Sequence, residues 1–126
     1  MKKLIITILA IATMALAANK PVCKQTDDYG WKVMFTCVHP TYAVKEIYIG
    51  LWKNGSSFSV DKFMKDGSRV SSSVYFNMYD HKTHVIESTY DDLGILVHKD
   101  DLKLDGNQFS ILYYKLRNQY DLRRKK

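Results

Sequence analysis

The sequence predicts an all-β domain: a small antiparallel sandwich or barrel of seven or eight strands behind a cleaved leader. The C-terminus is open between a last strand and a short helix. Three observations carry this expectation. Apolar and polar residues alternate at period two along much of the chain, as in strands with one buried face. Turn-forming clusters recur every eight to twelve residues or so, the spacing of antiparallel sandwiches and barrels. Eleven of the thirteen acidic residues are Asp, which favours turns; only Glu46 and Glu87 are the helix-favouring Glu.

The first seventeen residues read as a leader. Lys2 and Lys3 precede an apolar run from Leu4 through Leu16, broken only by Thr7 and Thr13, and Ala15-Leu16-Ala17 supplies the small-x-small pattern that signal peptidase reads. The run is shorter than the ~20 residues a membrane span needs. Export with cleavage after Ala17 follows as the expectation, leaving residues 18–126 as a single β domain of 109 residues, periplasmic or secreted, with no transmembrane segment. The Lys-Lys start and compact leader look bacterial. No cysteine follows in a lipobox. Losing the leader's two lysines leaves 17 basic against 13 acidic residues, a net +4 that favours an acidic partner without demanding one. In an oxidising compartment Cys23 and Cys37 are expected to pair. That closes a loop of about fifteen residues, worth on the order of 3 kcal/mol in the chain-entropy model.

The elements follow in order. Trp31, Val33, Phe35 and Cys37 alternate with Lys32, Met34, Thr36 and Val38. From Ala43 to Lys53, Ile47, Ile49 and Leu51 point one way and Glu46, Tyr48, Gly50 and Trp52 the other. Asn54-Gly55 then reads as a type I′ hairpin turn, whose two central residues both need φ > 0. Phe58 to Met64 is the return strand and Asp66-Gly67 a second turn. Arg69 to Tyr79 alternates most cleanly: Val70, Ser72, Val74, Phe76 and Met78 share one face, Arg69, Ser71, Ser73, Tyr75, Asn77 and Tyr79 the other. A turn at Asp80-His81-Lys82-Thr83 leads to a strand from His84 to Tyr90, which Asp91-Asp92-Leu93-Gly94 breaks. Ile95 to His98 and Leu102 to Leu104 read as short strands around a turn at Lys99-Asp100-Asp101. Asp105-Gly106-Asn107 reads as a third hairpin, and Phe109 to Leu116 as the last strand. The rival is a helix over Leu112 to Arg124, because Leu112, Leu116 and Tyr120 fall at i, i+4 and i+8.

No catalytic signature is legible. There is no Gly-x-Ser-x-Gly elbow, His-Glu-x-x-His or phosphate-binding glycine loop. There is also no Cys-x-x-Cys redox motif. The expectation is therefore a protein that is not an enzyme and carries no cofactor and no metal. His81 and His84 beside Asp80 would need a third ligand to hold an ion. Asp100, Asp101, Asp105 and Asn107 match a calcium loop in composition but not in spacing.

The aromatic load is more suggestive. Nine Tyr and two Trp in a chain this small exceed what a core needs. Tyr48 and Trp52 lie opposite the apolar face of their strand, as do Tyr75 and Tyr79 of theirs, with Arg69 on the same side as the second pair. If those strands are neighbours, the aromatics form one patch among Ser71, Ser73 and Asn77, the composition of a recognition surface. A second layer over that face is the alternative. The basic run Arg123-Arg124-Lys125-Lys126 reads as a solvated end or a hook for an anionic partner. Basic and aromatic residues do not interleave as a nucleic-acid groove requires. A small exported β-barrel with an early disulfide is similar in outline to the periplasmic C-type lysozyme inhibitors. Their Ser-Gly-x-x-Tyr element does not carry over, because Lys65-Asp66-Gly67-Ser68-Arg69-Val70 reverses the Ser-Gly order and lacks the Tyr. The expected function is binding of a macromolecule, a protein first, as an enzyme inhibitor or toxin-immunity protein would; a glycan- or ligand-binding envelope module is the alternative. The domain is expected to be a monomer or small homo-oligomer.

Overall fold

The structure, a computed structural model, describes residues 20–38 and 43–125; the predicted leader and its cleavage point lie outside the described residues. Eight strands and one helix follow one another: β1 (Val22–Asp28), β2 (Lys32–Val38), β3 (Val44–Trp52), β4 (Ser57–Met64), β5 (Arg69–Asn77), β6 (Lys82–Tyr90), β7 (Leu96–Asp105), α1 (Phe109–Gln119) and β8 (Asp121–Arg123). The all-β reading with a short C-terminal helix holds. The strands form a single sheet in the order β7-β6-β5-β4-β3-β2-β1-β8, antiparallel throughout except where β8 joins β1 in parallel. The expected closure is corrected: the sheet stays open, with β7 and β8 as its edges, and the helix supplies the second layer.

Strand register sorts the two faces. Phe35 pairs with Ile49 and Ile49 with Val60. Leu51 pairs with Phe58, Phe58 with Val74, Val74 with Val85 and Val85 with Leu102. These residues face α1, whose Leu112 and Leu116 are buried together with Tyr120 just beyond it. The segment read as a last strand is thus a helix, and the i, i+4, i+8 spacing is the signal that wins, because it turns Leu112 and Leu116 toward the same apolar sheet face.

The geometry of the connection bends the sheet. Eight strands spaced about 4.8 Å apart would place β8 about 34 Å from β7 if the sheet were flat. The chain makes that journey largely through an eleven-residue helix about 16 Å long. It also has to travel along the strands, because β8 starts beside Val22 at the far end from Asp105. The sheet therefore curls around α1, which makes the helix side concave and the other side convex.

The turns differ from expectation in detail. Gly55 has φ +70° but Asn54 does not lie in the left-handed region, so the Asn54-Gly55 loop is not type I′. The Gly55 amide instead donates to the Trp52 carbonyl at 3.0 Å, and the Asn54 side-chain oxygen accepts from the Ser56 amide. At Asp66-Gly67 the Gly67 amide donates to the Met64 carbonyl and the Met64 amide to the Ser68 carbonyl. The Asp91–Gly94 turn repeats this pair of bonds. Such three-residue loops place glycine at the left-handed position. Lys99-Asp100-Asp101 is not a turn: β7 runs unbroken for ten residues. An edge strand pairs on one side only and tolerates polar side chains on both faces, which hid it from a periodicity reading. Asp105-Gly106-Asn107 does not make a hairpin but leads into α1. Thr83, wholly buried, donates through Oγ1 to the Gly106 carbonyl at 2.7 Å and accepts from the Gln108 amide at 2.8 Å. Cys23 and Cys37 face each other across β1 and β2 and form the expected disulfide.

Candidate functional site

The sequence singled out Tyr48, Trp52, Tyr75, Tyr79 and Arg69. Register places Tyr48, Trp52, Arg69 and Tyr75 on the sheet face turned away from α1. They are not the single patch expected, because β3 and β5 are not neighbours: β4 lies between them and presents Ser59 and Asp61 to that face. The aromatics form two bands instead.

One band begins with Tyr48, which meets Phe63 edge to face at 5.5 Å and donates a hydrogen bond to the Glu46 carboxylate. That bond raises the Tyr48 pKa, with burial adding to it. Arg69 continues the band: its guanidinium lies 4.2 Å from the centroid of Tyr90 and 5.8 Å from that of Phe63. The second band contains Trp31 and Trp52 with ring centroids 5.7 Å apart, and the Lys32 ammonium stands 4.9 Å from each. Across the sheet Tyr75 stacks on His84 at 4.9 Å, their planes 12° apart. Tyr48 and Trp52 are four residues apart on β3 and Arg69 and Tyr75 six apart on β5, so the bands are separated by about 13 to 20 Å. Small side chains occupy the middle of the interval, between Met34 on β2 and Ile86 on β6. Gly50, Ser59 and Ser73 are paired neighbours in one row, and Asp61, Ser71 and Ser88 in the next. Tyr79 belongs to neither band; it stands 98 % exposed in the β5–β6 turn.

Sequence reading missed Trp31, Phe63, Tyr90 and His84 as members of this face. The alternation groups Trp31 with Val33 and Phe35, which the structure buries. The strand begins only at Lys32, and the Trp31 ring is 57 % exposed against Trp52. Phe63 and Tyr90 were legible from strand alternation alone, since Phe63 is out of step with Phe58 and Val60.

His84 is the polar centre of the second band. Its side chain is buried, Nε2 lies 2.8 Å from an Asp80 oxygen, and Nδ1 lies 3.4 Å from an Asp101 oxygen without forming a hydrogen bond. Burial tends to raise the Asp80 carboxyl, but the bonds from His84 and the Lys82 amide outweigh it and leave the pKa below the usual value. Asp80 therefore serves the fold, and no group of three or more metal-ligating side chains occurs among the described residues. The acids with calcium-loop composition diverge. Asp100 meets His98, Asp105 meets Lys82, and the Asn107 side chain caps the Phe109 amide. Arg123 of the basic run pairs with Asp121 in β8.

The helix side offers less room. A cavity of about 40 Å³ between α1 and β4–β6 is lined by Lys62, Ser72, Glu87 and Tyr120, space for a water rather than a ligand. Burial lowers the Lys62 pKa to about 8, against the pull of Glu87, and burial raises Glu87 and Tyr120. No helix among the described residues is long and apolar enough to cross a membrane.

Compared with known protein families, with curated proteins and with solved structures, the chain matches none.

Proposed function

We propose that this chain is an exported, non-enzymatic binding domain whose convex sheet face engages a folded protein, as an enzyme inhibitor or toxin-immunity protein does. The observation that carries the reading is the placement of the helix. α1 packs on the Phe35–Ile49–Val60 side, so among the described residues it leaves Tyr48, Trp52, Arg69 and Tyr75 on the face without a second layer. Large aromatics on such a face bear a desolvation cost unless a partner covers them. Tyr and Trp held by neighbouring rings are stiff, amphipathic contact area of the kind that dominates binding energy. A convex surface favours a partner with a cleft. The leader and the Cys23–Cys37 disulfide support a periplasmic or secreted location.

A glycan is the second reading, favoured by the serine belt between the bands, where hydroxyls beside aromatic platforms would suit sugar rings. Affinity capture from periplasmic extract separates the two. Retention of one protein in a fixed ratio by the wild-type bait, and its loss from a Trp52→Ala/Tyr75→Ala bait that still folds, supports a protein partner. Each change is expected to weaken binding by about 2 kcal/mol. Equal retention by both baits would defeat the reading, and retention of the domain on a polysaccharide column would move it to glycans.

A further inference from the structure

We propose that the groove between the β3–β4 hairpin and α1 binds an aromatic carboxylic acid, at a site that meets the protein-binding face at Trp52. The groove has a volume of about 450 Å³, within the range of small-molecule sites. Leu51 and Trp52 line it from the hairpin, Phe109 and Tyr113 from the helix, and Lys53 and Arg124 bring charge. Phe109 and Tyr113 lie one helical turn apart, stacked with centroids 5.9 Å apart and planes 10° from parallel, so they line the helix side of the groove with aromatic surface against which a planar ring can pack. The charge is one-sided. No Asp or Glu lines the groove among the described residues. Lys53 is committed to Asp28 at 2.8 Å, and Arg123 to Asp121 at 2.9 Å, whereas Arg124 makes no ion pair among the described residues. A guanidinium beside an apolar wall is matched by a carboxylate, which it can grip with two parallel N–H bonds while the rest of the ligand covers the rings. The ring lies against Tyr113 and Trp52, and the carboxylate reaches Arg124 at the mouth.

Calorimetric titration of the full exported domain with 2-naphthoate, and with the uncharged 2-naphthamide of nearly the same shape, tests this. Saturable one-to-one binding of the naphthoate is expected, at least tenfold tighter than the amide. Arg124→Gln should weaken naphthoate at least tenfold and leave the amide unchanged. Arg124 is exposed, so the variant should melt with the wild type. Equal affinity for acid and amide, an Arg124→Gln variant that binds naphthoate as before, or no saturable binding would each overturn the proposal. Arg69→Ala, on the protein-binding face and about 20 Å along β5 from the residue that pairs with the groove's Ser57, should leave naphthoate binding intact, so loss of the protein-binding face and loss of this site are told apart.

Discussion

Lys62 shows how far a single side chain can depart from its pattern. It occupies the helix-facing side of β4, paired with Ile47 and Val70, where alternation calls for an apolar residue, and burial lowers its pKa from 10.5 to about 8. Between those values the unfolded chain holds a proton that the folded chain has released. Stability should therefore rise with pH from about 8 to 10, and below pH 8 the cost of burying the charge is fully present. Urea unfolding of Lys62→Met should show a more stable protein at pH 7 and a flatter profile between pH 8 and 10; a profile as steep as wild type would assign the slope to another group. Two glycines make a second comparison. Gly55 and Gly67 both have positive φ, but a Cβ on Gly55 meets open space, whereas one on Gly67 would stand 3.0 Å from the Asp92 Cβ. Gly55→Ala should cost about 1–2 kcal/mol for the left-handed backbone alone. Gly67→Ala should cost more than Gly55→Ala in the same denaturant titration, since a Cβ cannot swing aside as a side-chain end can. The sequence marked both as turn glycines and could not rank them, because the contact with Asp92 joins turns 25 residues apart.

At the scale of elements, β2 to β6 were legible: residue types alternate along β2, β3 and β5, and turn signals bound β4 and β6. Four elements were not, among them the three-residue β8, which fell inside the helix read over Leu112 to Arg124. β7 is an edge, where Lys and Asp on both faces cost little, and it read as two short strands around a turn. β1 has a burial pattern with a single fully buried residue, Cys23, and its pairing rests on the backbone ladder and the disulfide. The helix announced itself through Leu112, Leu116 and Tyr120, yet Phe109 and Ile111 fit a strand equally well. Its start depends on Thr83, a residue of another element whose hydroxyl serves two backbone groups. Thr83→Val should cost about 1–3 kcal/mol by leaving the Gln108 amide and the Gly106 carbonyl without that partner, read as a lower unfolding midpoint at unchanged m-value. Replacing Cys23 and Cys37 together by Ser should cost about 2–4 kcal/mol. A smaller loss would mean that the ladder from Val22 to Asp28 already holds β1.

For the whole molecule, the proposed export yields a direct measurement. Mass spectrometry of the protein recovered from its compartment should place the N-terminus at Ala18, within a residue or two; an intact Met1 on membrane-bound protein would contradict the proposed location. The strand periods, the turn glycines and the cysteine spacing depend on neighbours in the chain, so the sequence alone determined an all-β chain with a disulfide and with aromatics opposite the core-facing residues of β3 and β5. Which side those aromatics face is also local, because alternation is a property of one strand. Only the tertiary structure decided what stands between them and what covers them. β4 separates β3 from β5 and divides the aromatics into two bands, and α1, too short to cross a flat eight-stranded sheet, curls the sheet around itself and occupies the opposite face. Both outcomes rest on contacts between residues far apart in the chain, which period and composition do not encode.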